Sequence, residues 1–485
     1  MSSIGSYGSL GGRRSGDLFV SMRAELNELQ RQLATGKRSQ TYGGLGLARA
    51  SSLDINQKLA TMKGYDDAIA DASFRGKLIS QSLEAVAKAG SDVKKQTSSV
   101  TFSLGTDGRT IPQRTADEGL KLAIDALNQN VNGRHLFGGR VTDSAPVESY
   151  DRIMNGDATH IGLKQYIADR VTLEAGPLND GRLGVGGAGT AVTLTRSDAT
   201  AFGLTLNAIT SPTAGVTVTA PGGSPASGGV SFTGAVAEGT TVNVVLGLPD
   251  GTTQTLQLTA TTTTPLKANQ FLADADPNVA AASLRAQLGA AVTLEAAKLP
   301  SASAIAAAKA FFAGTDATPA PASASGNPIV WYHGEDAGGG SIRPSAPVQV
   351  DASQTVGLGV AANEGPIRDL LAGLGAFANA TFADTAADRA RYDALAEKVS
   401  VQLSPPTTAP KVSDIVTEIG GALTAMAGAK DRHDASRSIL QDTVDEVENA
   451  KPEEVASAIL ALQTKLQASY QTTAMISRLS LVNYL

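Results

Sequence analysis

The chain of 485 residues contains no cysteine, which excludes disulfides, thiolate metal ligands and thiol nucleophiles together. It is compatible with a protein that works outside the cell without needing oxidation. Aromatic residues amount to only 4%, so the composition favours thin helical packing over bulky cores. No apolar run approaches the ~20 residues of a membrane span, so no membrane insertion is expected. The 40 basic residues form no polybasic tract and stand against 46 acidic ones, for a net charge of −6. That balance gives no reason to expect nucleic acid or an anionic membrane as partner. Met1–Gly16 is rich in Gly and Ser, carries Arg13 and Arg14, and leads into no apolar stretch. A cleaved signal peptide is therefore not expected. The length allows two to four domains.

What is present is concentrated at the two ends. The spacing predicts a first helix over 17–35 with Asp17 as its N-cap. Within it Leu18, Met22, Leu26, Leu29 and Leu33 recur at steps of four, four, three and four residues. That is a heptad-like seam suited to packing on another long helix. Gly36 ends the helix, with Lys37 and Arg38 beside the negative end of its dipole. Residues 39–46 (SQTYGGLG) read as a loop, and further helical runs are predicted over 47–105 and from Pro112 to 132. From 141 onward short β-type runs at 191–195, 216–219, 242–248 and 255–259 alternate with Gly, Pro and Ser. Asp250-Gly251 sits at the tip of a hairpin between two of them.

A helical interlude is predicted over 277–313, then a Pro/Ala/Ser linker over 317–328, then strands at 329–332 and 348–351. Helix resumes at Pro366 and runs to 380, then over 386–403 and 413–449. Pro452 with Glu453 and Glu454 opens the last helix. There Val455, Ile459, Leu462, Leu466, Tyr470 and Thr473 give a second seam near the 3.5 repeat. Ile476, Leu479, Leu481 and Leu485 beyond it complete the expected interface. Each seam could face its own domain's core; their positions at the two extremities favour pairing with each other. The expected fold class is α+β, with long N- and C-terminal helices paired as a coiled coil and α-helical bundle. The expected domains are paired end segments 1–45 and 451–485, an α-helical core of 46–140 and 365–450, and a β-rich outer block of 141–364 inserted between.

Candidate chemistry is sparse. His135, His160, His333 and His433 stand alone in sequence, without partners at metal-ligand spacing, and each is expected on the surface or in a loop. Gly184–Gly189 matches GxGxxG, but that motif needs a helix directly after it to meet a pyrophosphate. Residues 190–195 read as a strand instead. Ser91-Asp92-Val93-Lys94 fits SxxK inside a continuous helical pattern, and Asp274-Ala275-Asp276 is too short for a calcium loop. Asp66-Asp67 reads as a solvated face. No catalytic, cofactor-binding or metal-binding residue is assigned, and no enzyme activity is expected.

Four stretches carry a resemblance: Leu29–Arg38 (LQRQLATGKR), Leu127–Gly139 (LNQNVNGRHLFGG), Val330–Glu335 (VWYHGE) with Arg343–Asp351 and Ala362–Glu364, and Leu460–Leu485 ending in SLVNYL. Together and in this order they resemble the bacterial flagellin superfamily, most closely its flagellin-like hook-associated proteins of the hook–filament junction. The resemblance covers both helical ends and parts of the middle; residues 39–46 depart from the Asn/Asp-rich turn of many members. It implies that the terminal helices pair as a coiled coil lining a hollow tube, with the middle forming outer domains. It implies termini that order on assembly, which the Gly/Ser-rich start suits. The implied partners are further copies of the chain itself, a neighbouring hook-associated junction protein, filament flagellin, and a flagellar export chaperone with the export apparatus. The implied location is extracellular, on the flagellum. The long insertion at 171–313 would also suit an elaborated filament flagellin. A third reading is an exported binding protein or adhesin with a helical stalk.

Overall fold

The structure, a computed structural model, describes the backbone over residues 6–336, 340–404 and 408–482, with side chains from Gly16 to Met475 within that. The fold is α+β. Its helices are α1 (Ser6–Thr35), α2 (Arg49–Ser99), α3 (Ile111–Leu127), α4 (Tyr150–Asn155), α5 (Leu163–Ala175), α6 (Pro277–Ala313), α7 (Gly365–Asn379), α8 (Ala386–Gln402), α9 (Val412–Glu448) and α10 (Pro452–Val482). Two short hairpins pair β1 (Asn130–Val131) with β2 (Arg134–His135) and β11 (Pro347–Asp351) with β12 (Gln354–Gly357). The chain divides into two compact units. The first holds Met1–Asp71, Gln349–Thr355 and Ala425–Leu485, and the second Ala72–Val348 and Val356–Thr424.

The second unit contains two four-stranded sheets. One is antiparallel, in the order β3 (Leu183–Gly186), β4 (Ala191–Arg196), β7 (Ser227–Phe232), β6 (Val216–Gly222). The other runs β10 (Gln270–Leu272), β9 (Thr253–Thr261), β8 (Thr241–Gly247), β5 (Thr205–Thr210), antiparallel except for the parallel β10–β9 edge pair. Alternation places Val242, Val244 and Leu246 of β8 on the buried face. Register pairs Val242 with Leu258 and Val244 with Leu256. At the β8–β9 turn Gly251 takes φ +83°, a conformation that favours glycine. Asp250 beside it binds Lys398 of α8 at 2.5 Å, its side chain only 4% exposed.

One core joins both sheets to the first half of α6, which contributes Ala280, Leu284, Leu288, Val292 and Leu299. The second half of α6 turns to helices α5, α7 and α8. There Phe311 and Phe312 are fully buried, and Trp331 donates its indole N–H to the Phe312 carbonyl at 3.0 Å. From Ser301 to Phe312 the helix is mostly apolar and buried on nearly every side, as a helix without a solvent face must be. Its small residues around Ser301–Ala308 let neighbours approach closely. Pro300 sits inside α6 and has no N–H to offer the Ala296 carbonyl one turn back. At α3, Thr110 and Gln113 form a reciprocal capping box, and Gln113 also donates to the Ala380 carbonyl beyond α7 at 2.6 Å.

Several sequence-based expectations need correction. The first helix does not begin at Asp17; it runs back to Ser6, because nothing among Ser6–Gly16 forbids helix. Its successor stops at Ser99, short of 105, and a 3-10 segment, Tyr42–Ala48, precedes it. The third ends at Leu127, where the Asn132-Gly133 turn makes a hairpin of residues expected to be helical. The block expected to be β-rich contains α4 and α5. Ser149 caps α4 by accepting from the Arg152 amide, and α5 buries Leu163, Tyr166 and Ile167. Their periodicity was hidden between flanking glycines. Residues 329–332 make one isolated bridge, Tyr332 with Val147, and no strand; Trp331 and Tyr332 are held by aromatic packing instead. By contrast, the interlude Pro277–Ala313 and the runs at 191, 216, 242 and 255 lie where the pattern put them.

Gly162, at the N-cap of α5, packs so closely on 154–156 that a Cβ there would overlap backbone atoms of Met154, Asn155 and Gly156. Backbone cannot yield as a side-chain tip can. Gly162→Ala is expected to destabilise the second unit by about 1–3 kcal/mol, read as a lower urea midpoint. An unchanged midpoint would refute this account of the contact.

Candidate assembly surface

The predicted seam residues of the two ends lie in the first unit, where α1 packs along α10. Phe19 and Tyr470 stack across the pair, ring centroids 5.0 Å apart and planes 14° from parallel. On α10, Val455, Leu462 and Leu466 are buried and Ile459 half-buried; on α1, Met22, Leu26 and Leu29 are half-buried. The remainder stay open: Leu18 is 49% exposed, Leu33 46% and Tyr470 52%. Ile476, Leu479 and Leu481 lie on α10 with side chains outside the described residues, and Leu485 is outside them altogether. Sequence reasoning missed Val20, Leu460 and Met475, which are 70%, 65% and 62% exposed. They fall off the heptad seam, and an apolar side chain off the seam of an amphipathic helix was the available signal.

The chain reverses after α1 through a built junction. Gly36 adopts φ +68° and closes the helix as a left-handed C-terminal residue. The Arg38 carbonyl accepts from Arg31 at 3.2 Å and Gln32 at 3.0 Å, so α1 holds its own exit segment. That segment pairs with the α9–α10 turn: the Arg38 amide donates to the Glu448 carbonyl at 2.8 Å and the Ala450 amide to the Gly36 carbonyl at 2.9 Å. The Glu448 carboxylate accepts from Ser52 Oγ at 2.6 Å and Asn56 Nδ2 at 3.0 Å, both on α2, and from Lys37 Nζ at 3.4 Å. One carboxylate thus ties three parts of the chain.

These contacts hold the Glu448 carboxyl below its ordinary range, the Ser52 hydrogen bond contributing most, with Asn56 and Lys37 adding to it. A group depressed on folding contributes stability above its unfolded pKa and loses it as pH falls through the folded one.

A second cluster corrects two expectations. His433 of α9, expected on the surface, is 4% exposed, and its Nδ1 meets Asp66 Oδ1 of α2 at 2.8 Å. Asp66, expected on a solvated face, also pairs with Arg437. Burying an ionisable group is tolerated only with partners, and these partners come from opposite ends of the chain. Asp67 does face solvent and pairs with Lys63 at 2.8 Å.

The remaining candidates take structural places. Gly184–Gly189 spans the end of β3 and the turn to β4, with no helix following. Asp276 caps α6 by accepting from the Asn278 amide at 2.9 Å, and Asp92 pairs with Lys88 on α2 at 2.5 Å. His135 donates from Nδ1 to the Asn128 carbonyl (3.1 Å), His160 lies beside Asp157, and His333 between Glu148 and Asp316. Among the described residues no three His, Asp or Glu stand at metal-binding spacing, and no helix is long and apolar enough to cross a membrane.

Replacing Glu448 with Ala is expected to speed hydrogen exchange at the Arg38 and Ala450 amides by roughly tenfold or more, leaving the second unit unchanged. The wild-type protein should show the same loosening only as pH drops through and below the ordinary carboxylate range. Equal protection of both amides in the variant would contradict the tie. No protein-family model matches this chain, and no curated protein matches it.

Proposed function

We propose that the chain is a structural, non-enzymatic subunit of the bacterial flagellum, joining hook to filament by self-assembly through its terminal helices. The observation that carries this reading is the unfinished packing of α1 on α10. Leu18, Leu33 and Tyr470, with Val20, Leu460 and Met475, leave large apolar side chains in solvent along one helix pair. Full burial of such a side chain from water is worth about 1.5–3 kcal/mol. These are already partly covered, so finishing the burial of all six contributes a smaller amount each toward association, against its entropic cost. In this reading the pair acts as a two-stranded coiled coil whose free faces meet neighbouring copies around a tube, and the two-sheet block of the second unit forms the outer domain. The LQRQLATGKR segment gains a physical role: Arg31, Gln32, Gly36 and Lys37 all build the junction that holds α1 in place. The partners are then further copies of the chain, a hook-associated protein on one side and filament flagellin on the other. An export chaperone and the flagellar export apparatus would deliver the chain to the extracellular flagellum.

A filament flagellin is the second reading, favoured by the size of the two-sheet block with α6. The double variant Leu18→Glu/Leu33→Glu tests assembly, because both positions are already half in water and the monomer should fold. It is expected to be exported as a monomer and to fail to enter flagella. Incorporation at the wild-type level would overturn the proposal. Immunogold labelling of the wild-type protein then separates the readings: a short zone at the hook for a junction subunit, the whole filament for a flagellin.

A further inference from the structure

Within the second unit a cavity of about 540 Å³ opens between α5, α6, the residues after α7, and α8. Its volume lies in the range of small-molecule sites, and its lining mixes apolar side chains with polar ones, Gln165, Thr172, Asn379 and Thr381 among them. Ile167, Pro300, Ala304 and Phe382 supply apolar wall. Among the described residues the lining carries two charged side chains, Lys164 and Arg391, both cationic, and no carboxylate.

Their surroundings leave positive charge over. The Lys164 ammonium donates to the neutral Asn155 side-chain oxygen at 2.9 Å and makes no ion pair among the described residues. Arg391 is fixed at the wall by the Phe382 ring, 5.1 Å from its guanidinium carbon, and by the Thr381 carbonyl. Asp388, outside the lining, pairs with it at 2.8 Å and offsets one charge of the two. A guanidinium has five N–H donors in a rigid fork, so donors remain after these contacts. The cavity is held open from behind: buried Ser301 of α6 donates to the Arg391 carbonyl of α8 at 2.9 Å, fixing the spacing of two walls.

We infer that this cavity binds a small amphipathic carboxylate, its chain along Ile167, Pro300 and Phe382 and its head group between Lys164 and Arg391. Lys164 is itself exposed, so its attraction for an anion is screened by water, and the half-buried Arg391 at the wall holds the head group more strongly. An apolar tail then adds burial that a bare inorganic anion could not. The site lies within one unit and is independent of the assembly reading.

The test uses the full chain and octanoate as probe, with octylamine as its counterpart of opposite charge, followed by calorimetry. Saturable binding of one octanoate, and none of octylamine, is expected. Lys164→Gln, at an exposed position that should not disturb folding, is expected to weaken octanoate roughly tenfold; Arg391→Gln should weaken it likewise. Absence of saturable octanoate binding by the wild type overturns the inference. Equal binding of the two probes does so too, as does octanoate affinity untouched by Lys164→Gln.

Discussion

A helix buried along one stripe in its first half and on nearly all sides in its second cannot stop at one partner, and α6 sets that constraint for the second unit. Its first half completes the core of two sheets and its second half lies among α5, α7 and α8. Neither the sheets nor the helices close their apolar surface without it. The small side chains of Ser301–Ala308 make the close approach possible, and the indole of Trp331 satisfies a carbonyl at its end, on Phe312. The half-buried Asp250–Lys398 pair then ties the β8–β9 tip to α8, which packs on the same helix.

The first unit has a different logic. Its helices carry narrow apolar stripes and are held in register by polar contacts at the ends. Glu448 is the densest of these, with α2, the exit of α1 and the α9–α10 turn all meeting on one residue. The group of buried His433 with Asp66 and the half-exposed Arg437 plays the same part between α2 and α9. Polar junctions fix geometry while the apolar stripes remain partly in water, a division suited to a surface that is completed from outside.

Much of this was legible in the sequence wherever a local signal sufficed. Pro277 and the run to Ala313 marked α6; alternation marked β4, β8 and β9; Asp250-Gly251 marked a turn. Both seams could be read from spacing, and Val455, Leu462 and Leu466 are buried where it put them. The rest depended on partners hundreds of residues away. Nothing near His433 announces Asp66, and so both read as surface; nothing near Glu448 announces Ser52. The short helices α4 and α5 were lost for the opposite reason: their punctuation by glycine looked like that of the strands around them. The exposed Val20, Leu460 and Met475 lie off the seams that spacing defined.

The closure of α1 by Gly36, Arg38 and the Glu448 turn has a consequence for quality control. The two segments it joins are separated in sequence by nearly everything else in the molecule. A premature stop or frameshift anywhere in the sheets or in α6 therefore removes the partner of α1 as surely as damage to α10 would. Truncated chains can still build local elements, but none of them can form the paired surface. The junction works as a length gauge, because only a chain synthesised through α10 can close α1 against it.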